Sequence, residues 1–150
     1  MSDVWFYHLQ NASLAETLPK LVAKARAAGW RVAVRAASEE RRDALDDLLW
    51  TYEEDGFLPH VTDADPDAAE EAVVIQAGEA DLNAPDAVLL VDNAPLPPDL
   101  ARYTRVILIF DGNDAEATAA ARERWKAVKS AGHQASYWAQ DEGGRWVKKG

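Results

Sequence analysis

The run VILIF at residues 106–110 carries no polar side chain on either face of the strand that it would form. Two comparable runs precede it, VVIQA at residues 73–77 and AVLLV at residues 87–91. Runs of this kind suit strands that are buried between two layers of helices, whereas a strand with one solvated face alternates polar and apolar residues. The three runs therefore predict the central strands of a sheet that is covered on both sides.

Strand-like and helix-like segments alternate around these runs. Residues 3–9 (DVWFYHL) and 30–36 (WRVAVRA) are rich in aromatic and β-branched residues, as strands are. Helices are predicted in three places: at about residues 18–28, from Ser38 onward, and at about residues 114–131. Without an internal repeat or a linker, the alternation predicts a single domain over residues 1–150. We expect a three-layer α/β fold with a mostly parallel, Rossmann-like sheet.

The start of the first helix presents a conflict. Ser13 and Glu16 have the spacing of a capping box, which would begin the helix at once. Pro19 would then lie inside the helix, where it cannot donate a backbone hydrogen bond. The helix therefore either begins nearer Thr17 or has a distorted first turn.

Two segments are predicted to lie outside this regular alternation. Residues 51–72 contain Gly56, two prolines and many acids, so we expect a loop. Near the end of the chain, residues 134–140 and 145–148 flank the sequence Asp-Glu-Gly-Gly, which predicts a C-terminal hairpin.

Composition indicates a globular protein. Its 150 residues, 48% of them hydrophobic, are enough to enclose a sizeable core. The chain has no cysteine, which excludes disulfides, thiolate metal sites and a cysteine nucleophile. No apolar run approaches the roughly 20 residues that a membrane span needs. We therefore expect a cytoplasmic domain.

Charge is distributed unevenly along the chain. From residue 122 to the end, seven Lys/Arg face three acids, a net of +4, while residues 1–121 carry a net of −14. Half of the six tryptophans, Trp125, Trp138 and Trp146, lie in this basic end. The acidic remainder repels phosphate, which disfavours general nucleic-acid binding. Bases next to indoles suit a short acidic peptide with an apolar end, so this part of the chain predicts an adaptor surface.

Motifs for nucleotides and metals are missing from the sequence. No Gly-x-Gly-x-x-Gly or Gly-x-x-x-x-Gly-Lys follows a predicted strand, so no backbone cradle for phosphate is visible. The runs at 88–92 and 106–111 end in Asp, which is ordinary without a phosphate loop. His8, His60 and His133 have no metal-ligand spacing. We predict no catalytic residue, no metal and no cofactor.

The last long helix brings bases and an indole together. At about 100° per residue, Ala117, Ala121 and Val128 share a core-facing side. A second row lies about a quarter-turn away and consists of Arg122, Lys126 and Lys129. Trp125 lies between the two rows. From periodicity alone, a binding strip and a solvated basic face are equally acceptable.

A second aromatic cluster follows the second predicted helix. Trp50 stands at the helix end, and FLPH follows at residues 57–60. These residues can form a packing lid over the core. They can also form an exposed patch for a partner, because loops rarely carry several aromatic residues without a use.

Together these two segments resemble one family. Leu49-Trp50 followed by FLPH at 57–60, and later RERWKxxKxxG at residues 122–132, are similar to the chi subunit of bacterial DNA polymerase III holoenzyme. The opening strand with Phe6-Tyr7-His8, the chain length and the order of the predicted strands along the chain agree with that family as well. The resemblance thus extends over essentially the whole chain.

The resemblance implies an α/β accessory subunit of the clamp-loader assembly without catalysis or cofactor. In that family, the chi subunit links the clamp loader, through the psi subunit, to the acidic C-terminal tail of single-stranded DNA-binding protein. By motif position, the residues implied to bind that tail are Arg122, Trp125, Lys126 and Lys129. Those implied to face psi or another loader subunit are Trp50, Phe57, Leu58, Pro59 and His60.

The sequence departs from the family at its end, where residues 137–149 form an extension to which the resemblance assigns no role. Two other classes remain as alternatives to the adaptor. One is a nucleotide-dependent enzyme of the Rossmann-like class. The other is a protein that binds DNA directly through the C-terminal bases, with an affinity that falls steeply as salt rises.

Overall fold

The computed structural model describes residues 3–10, 12–51 and 59–149. The α-helices are α1 (Leu14–Ala27), α2 (Glu39–Thr51) and α3 (Ala115–Ser130). The strands are β1 (Asp3–Leu9), β2 (Val32–Arg35), β3 (Val61–Thr62), β4 (Val73–Gln76), β5 (Ala87–Leu90), β6 (Arg105–Asp111), β7 (Gln134–Gln140) and β8 (Trp146–Lys148). Short 3₁₀ turns occupy Ala68–Glu70 and Leu100–Arg102.

The strands form one mixed sheet in the order β3-β4-β2-β5-β6-β1-β7-β8. Every neighbouring pair is parallel except β7 and β8, which are antiparallel. The apolar runs at 73–77, 87–91 and 106–110 lie in β4, β5 and β6, inside the sheet. The predicted fold, a three-layer α/β domain with a mostly parallel sheet, is confirmed.

Each face of the sheet has its own core. On one face, α1 and α2 pack their leucines on side chains such as Val34 and Ile107. On the other face, α3 packs Ala121 and Val128 on side chains such as Phe6 and Leu108. Successive side chains of β1, and likewise of β6, therefore pack into the cores on opposite faces of the sheet, as the alternation of side chains along a strand requires.

The first helix begins where the capping box predicts. Ser13 is the N-cap and its Oγ accepts a hydrogen bond from the backbone N–H of Glu16 at 3.2 Å. Pro19 lies inside the helix and is buried. A start near Thr17 is therefore wrong, because the capped first turn and the burial of Pro19 outweigh the single hydrogen bond that the proline removes.

The segment predicted as a loop contains more structure than expected. Val61 and Thr62 form β3, which pairs in parallel with β4 at the edge of the sheet. A strand of two residues is too short to produce a recognisable period in the sequence. Residues 52–58 lie outside the described part of the chain.

The C-terminal hairpin is confirmed. Asp141 accepts hydrogen bonds from the backbone N–H groups of Gly143 and Arg145, each at 2.9 Å, and so holds the turn between β7 and β8. Gly144 has a φ of +82°, a conformation that glycine adopts without strain. The hairpin adds an antiparallel edge to an otherwise parallel sheet.

Candidate functional site

The helix α3 is fixed at both ends and along one side. Asp114 caps its first turn and accepts hydrogen bonds from the backbone N–H groups of Glu116 and Ala117 at 2.9 and 3.3 Å. After the last turn, Gly132 has a φ of +84°. Its buried side chains are Ala117, Ala121 and Val128, as the helical period predicts.

A cleft of about 290 Å³ lies between α3 and the strands β1, β6 and β7. The strands provide Phe6, His8, Phe110 and Tyr137, and the helix provides Thr118, Ala121, Arg122, Trp125 and Lys126. Alanine at position 121 has too short a side chain to fill the space between the helix and the sheet. The cleft therefore has an apolar, aromatic floor and a basic rim.

Trp125 forms the centre of this cleft and is half-buried. Its ring meets Phe6 edge-on at 5.3 Å between centroids and Tyr137 edge-on at 6.2 Å. Lys129 Nζ lies 5.7 Å from the centroid of the indole, within the range of a cation–π contact. The indole is thus held in place by aromatic neighbours while part of it remains accessible.

The cations on the rim have little opposing charge. Arg122 and Lys126 line the cleft, Lys129 lies outside its lining but beside the Trp125 ring, and all three side chains are exposed. Within residues 3–10, 12–51 and 59–149, the ion pair that involves them is Lys126–Glu123 at 3.5 Å, between two highly exposed side chains. Such surface pairs contribute little and are easily exchanged. The rim can therefore bind carboxylates, while the aromatic floor can bind an apolar side chain.

The floor of the cleft includes a polar pair, neither member of which is among the predicted site residues. His8 Nδ1 and the Tyr137 hydroxyl are hydrogen-bonded across β1 and β7. Burial raises the pKa of Tyr137 above its ordinary value, and Arg122 opposes that shift. Burial lowers the pKa of His8, and Asp111 opposes that shift. The alternation of Phe6 and His8 along β1 was the signal that could have placed His8 on this face.

The second predicted cluster lies on the other side of the sheet, at the end of α2. Trp50 is 46% exposed and its ring lies 4.2 Å from that of His60, centroid to centroid. His60 is buried, with Nε2 3.1 Å from the Asp46 carboxylate. Pro59 is exposed. Trp50 and His60 are thus brought together, whereas Phe57 and Leu58 lie outside the described residues.

A larger crevice, about 700 Å³, opens where β1 and β6 end, between the first turns of α1 and α3. Ligands in doubly wound folds bind at such a place, where neighbouring strands are followed by helices on opposite faces. Here the Ser13 and Asp114 side chains bond the helix N-terminal amides that a phosphate would use. Arg41 also lines the crevice, but it is paired with Asp92 at 2.9 Å, and Asp111 would repel phosphate. The smaller cleft beside α3 is therefore the candidate site.

Two further features bear on the class of site. In the described segments, no group of three His, Cys, Asp or Glu side chains comes together in a way that could hold a metal ion. None of the helices there combines the length and the apolar character that crossing a bilayer requires.

The fold and the cleft define a doubly wound α/β domain with a cleft that combines a basic rim and an aromatic floor. The family described as "DNA polymerase III chi subunit, HolC" matches residues 1–136. The chain belongs to this family, as the two sequence motifs indicated. The family places it among the accessory subunits of the replicative polymerase III complex.

Two relatives support the assignment. The chain is 28% identical over 138 residues to "DNA polymerase III subunit chi" of Pseudomonas aeruginosa, which covers 89% of this chain and 93% of the relative. It is 22% identical over 121 residues to "Probable DNA polymerase III subunit chi" of Rickettsia prowazekii, which covers 74% of this chain and 71% of the relative. The similarity thus extends over most of each protein.

Proposed function

We propose that the chain is an adaptor whose α3 cleft binds the acidic C-terminal tail of single-stranded DNA-binding protein. The observation that supports this most directly is the exposed row Arg122, Lys126 and Lys129 around a half-buried Trp125, on a protein with a net charge of −10. The bases meet the carboxylates of the tail, and the aromatic floor takes its apolar end.

The placement of charge favours a peptide over a nucleic acid. The basic rim consists of only a few side chains, and the net negative charge of the rest of the protein repels a long polyanion. A short peptide can contact the rim without approaching that surface. Size agrees with charge, since a cleft of about 290 Å³ is at the small end of ligand pockets and suits the side chain at the end of a peptide.

The second surface is proposed to bind psi or another clamp-loader subunit. Trp50 is one of the two large apolar side chains with high exposure in the described part of the chain, the other being Leu82. Exposed tryptophans often carry much of the energy of an interface. Because α2 and α3 lie on opposite faces of the sheet, both partners can bind at once.

Calorimetry tests the tail site. The probe is a short synthetic peptide that is rich in Asp and ends in an apolar residue with a free carboxylate. Lys126→Ala should weaken its binding by about 1.5–3 kcal/mol, the value of a hydrogen bond to a charged group. The control is Lys24→Ala, which removes an exposed lysine from α1 on the opposite face and should bind as the wild type does. Equal affinities of Lys126→Ala and the wild type would place the site elsewhere.

A pull-down of loader subunits from lysate tests the second surface. Trp50→Ala should stay folded and lose these subunits, while Leu82→Ala, which truncates a similarly exposed side chain, should retain them. Tail-peptide binding should survive in both variants, because sites on separate elements behave independently. Retained loader association in a folded Trp50→Ala protein would contradict this part of the proposal.

A further inference from the structure

His8 and Tyr137 form a polar pair in the otherwise aromatic floor of the α3 cleft. His8 is on β1 and Tyr137 is on β7, the strand that pairs with β1 in parallel. Both side chains line the cleft together with Arg122, and the tyrosine hydroxyl bonds to His8 Nδ1. Tyr137 lies one residue beyond the part of the chain that the family matches.

The surroundings of His8 indicate which group donates in this hydrogen bond. Nε2 is buried and has no hydrogen-bond partner among the described residues. The imidazole lies against Gly112, where even a Cβ atom would overlap the ring. An unpaired buried N–H is rarer and more costly than an unpaired acceptor, so the neutral ring carries its hydrogen on Nδ1. Nδ1–H therefore donates to the Tyr137 oxygen.

This direction leaves the phenolic hydrogen of Tyr137 without an acceptor in the pair. The hydroxyl remains protonated at neutral pH, since burial raises the pKa of Tyr137. The charge of Arg122 is close enough to oppose that shift. A donor and a cation thus line the same cleft, which is a suitable arrangement for a carboxylate.

We propose that the Tyr137 hydroxyl, held in orientation by His8, donates a hydrogen bond to the C-terminal carboxylate of the bound peptide, with Arg122 as the counter-ion. This inference rests on the proposed peptide-binding function and specifies its chemistry. Tyr137 is then a specificity-determining residue for a free chain end, and His8 is a positioning residue.

The test compares two acidic peptides that differ only at the terminus, one with a free carboxylate and one with an amide. Tyr137→Phe removes the hydroxyl and keeps the ring. For the free acid, we expect the affinity of Tyr137→Phe to fall on the order of tenfold or more. For the amide, wild type and Tyr137→Phe should bind equally weakly. The loss of discrimination between the two peptides is the expected signature.

Variants of His8 separate positioning from packing. His8→Leu should reduce discrimination between the two peptides, whereas His8→Asn, whose side-chain amide can donate, should restore part of it. Tyr103→Phe is the control, because it removes the hydroxyl of a buried tyrosine that does not line the cleft. It should lower the melting temperature and leave both affinities unchanged.

The outcomes distinguish this inference from the function on which it rests. If the wild type binds neither peptide, the proposed function and this inference both fail. If the wild type binds the free acid and Lys126→Ala weakens that binding, the function stands. Should Tyr137→Phe then discriminate between the peptides as the wild type does, this inference alone is wrong.

Discussion

Two regions of the molecule combine charged and aromatic residues, and they do so in opposite ways. At the carboxyl end of β2, Arg35 pairs with Asp81 at 2.9 Å, and the two side chains are 4% and 0% exposed. The Tyr103 hydroxyl also bonds to Asp81. In the cleft beside α3, Arg122 and Lys126 are exposed and face an aromatic floor.

The difference is one of charge compensation. In the buried network, the Asp81 carboxylate accepts hydrogen bonds from Arg35, Arg102 and Tyr103, so its charge is compensated within the chain. In the cleft, the compensating carboxylates are proposed to come from a bound peptide. Removing a member of the first set should therefore cost stability, and removing a member of the second should cost binding.

The largest expected effect is on the buried network. Asp81→Asn keeps the side-chain shape and the tolerance for the positive φ of this position, yet leaves Arg35 without its counter-ion. We expect the free energy of unfolding to fall by about 3–5 kcal/mol, as when one partner of a buried pair is removed. Urea denaturation measures it.

The control for this prediction is Arg41→Ala. It breaks the Arg41–Asp92 pair, also 2.9 Å long, in which Arg41 is 46% exposed. The cost should stay below about 1 kcal/mol, because surface pairs contribute little. Equal losses in the two variants would mean that the buried network contributes no more to stability than an exposed ion pair does.

The next effect is on binding at the cleft. Arg122→Ala should weaken binding of the acidic peptide by about 1.5–3 kcal/mol. It should leave the melting temperature almost unchanged, because the Arg122 side chain is exposed. Arg124→Ala is the matched control on the same helix, since its guanidinium bonds the Asn93 carbonyl at 2.8 Å, away from the cleft. Calorimetry and thermal unfolding of both variants separate binding from stability.

A smaller effect concerns the pH dependence of stability. Burial depresses the pKa of His8 below its ordinary value of 6.5 in the folded protein. As the pH falls, His8 therefore takes up a proton in the unfolded chain before it does so in the folded protein. Its contribution to the free energy of unfolding is complete above about pH 6.5 and declines as the pH falls below that value. His8→Leu should show a shallower decline between pH 7.5 and pH 5. Parallel curves for the variant and the wild type would show that His8 does not contribute.

No effect is expected from nucleotides. Ser13 and Asp114 bond the helix amides at the large crevice, and acids line it. Saturating ATP or NAD should therefore leave the melting temperature unchanged, because only a ligand that prefers the folded state raises it. A clear upward shift would assign a nucleotide site to the crevice and favour an enzyme over the adaptor.

The sequence was sufficient to predict features that depend on local periodicity. The apolar runs identified β4, β5 and β6, and the helical period placed Ala117, Ala121 and Val128 in the core. The same period placed Arg122, Trp125 and Lys126 next to one another, and they line one cleft. Neighbours on one helix are fixed by about 100° per residue alone.

Features that depend on the topology of the sheet could not be predicted. Arg35 meets Asp81 and Tyr103 across 46 and 68 residues, and His8 meets Tyr137 across 129. The order of the strands brings these residues together, and a single sequence contains no local signal for that order. The floor of the cleft was therefore missed, although its rim was identified.

Whether an acidic chain end binds beside α3 can be read from the indole N–H signals of the six tryptophans in a nuclear magnetic resonance titration. The acidic peptide should shift the Trp125 signal, assigned by its loss in Trp125→Phe, and leave those of Trp30 and Trp50 in place. A shift of the Trp50 signal with the Trp125 signal unmoved would contradict the account and move the peptide site to α2.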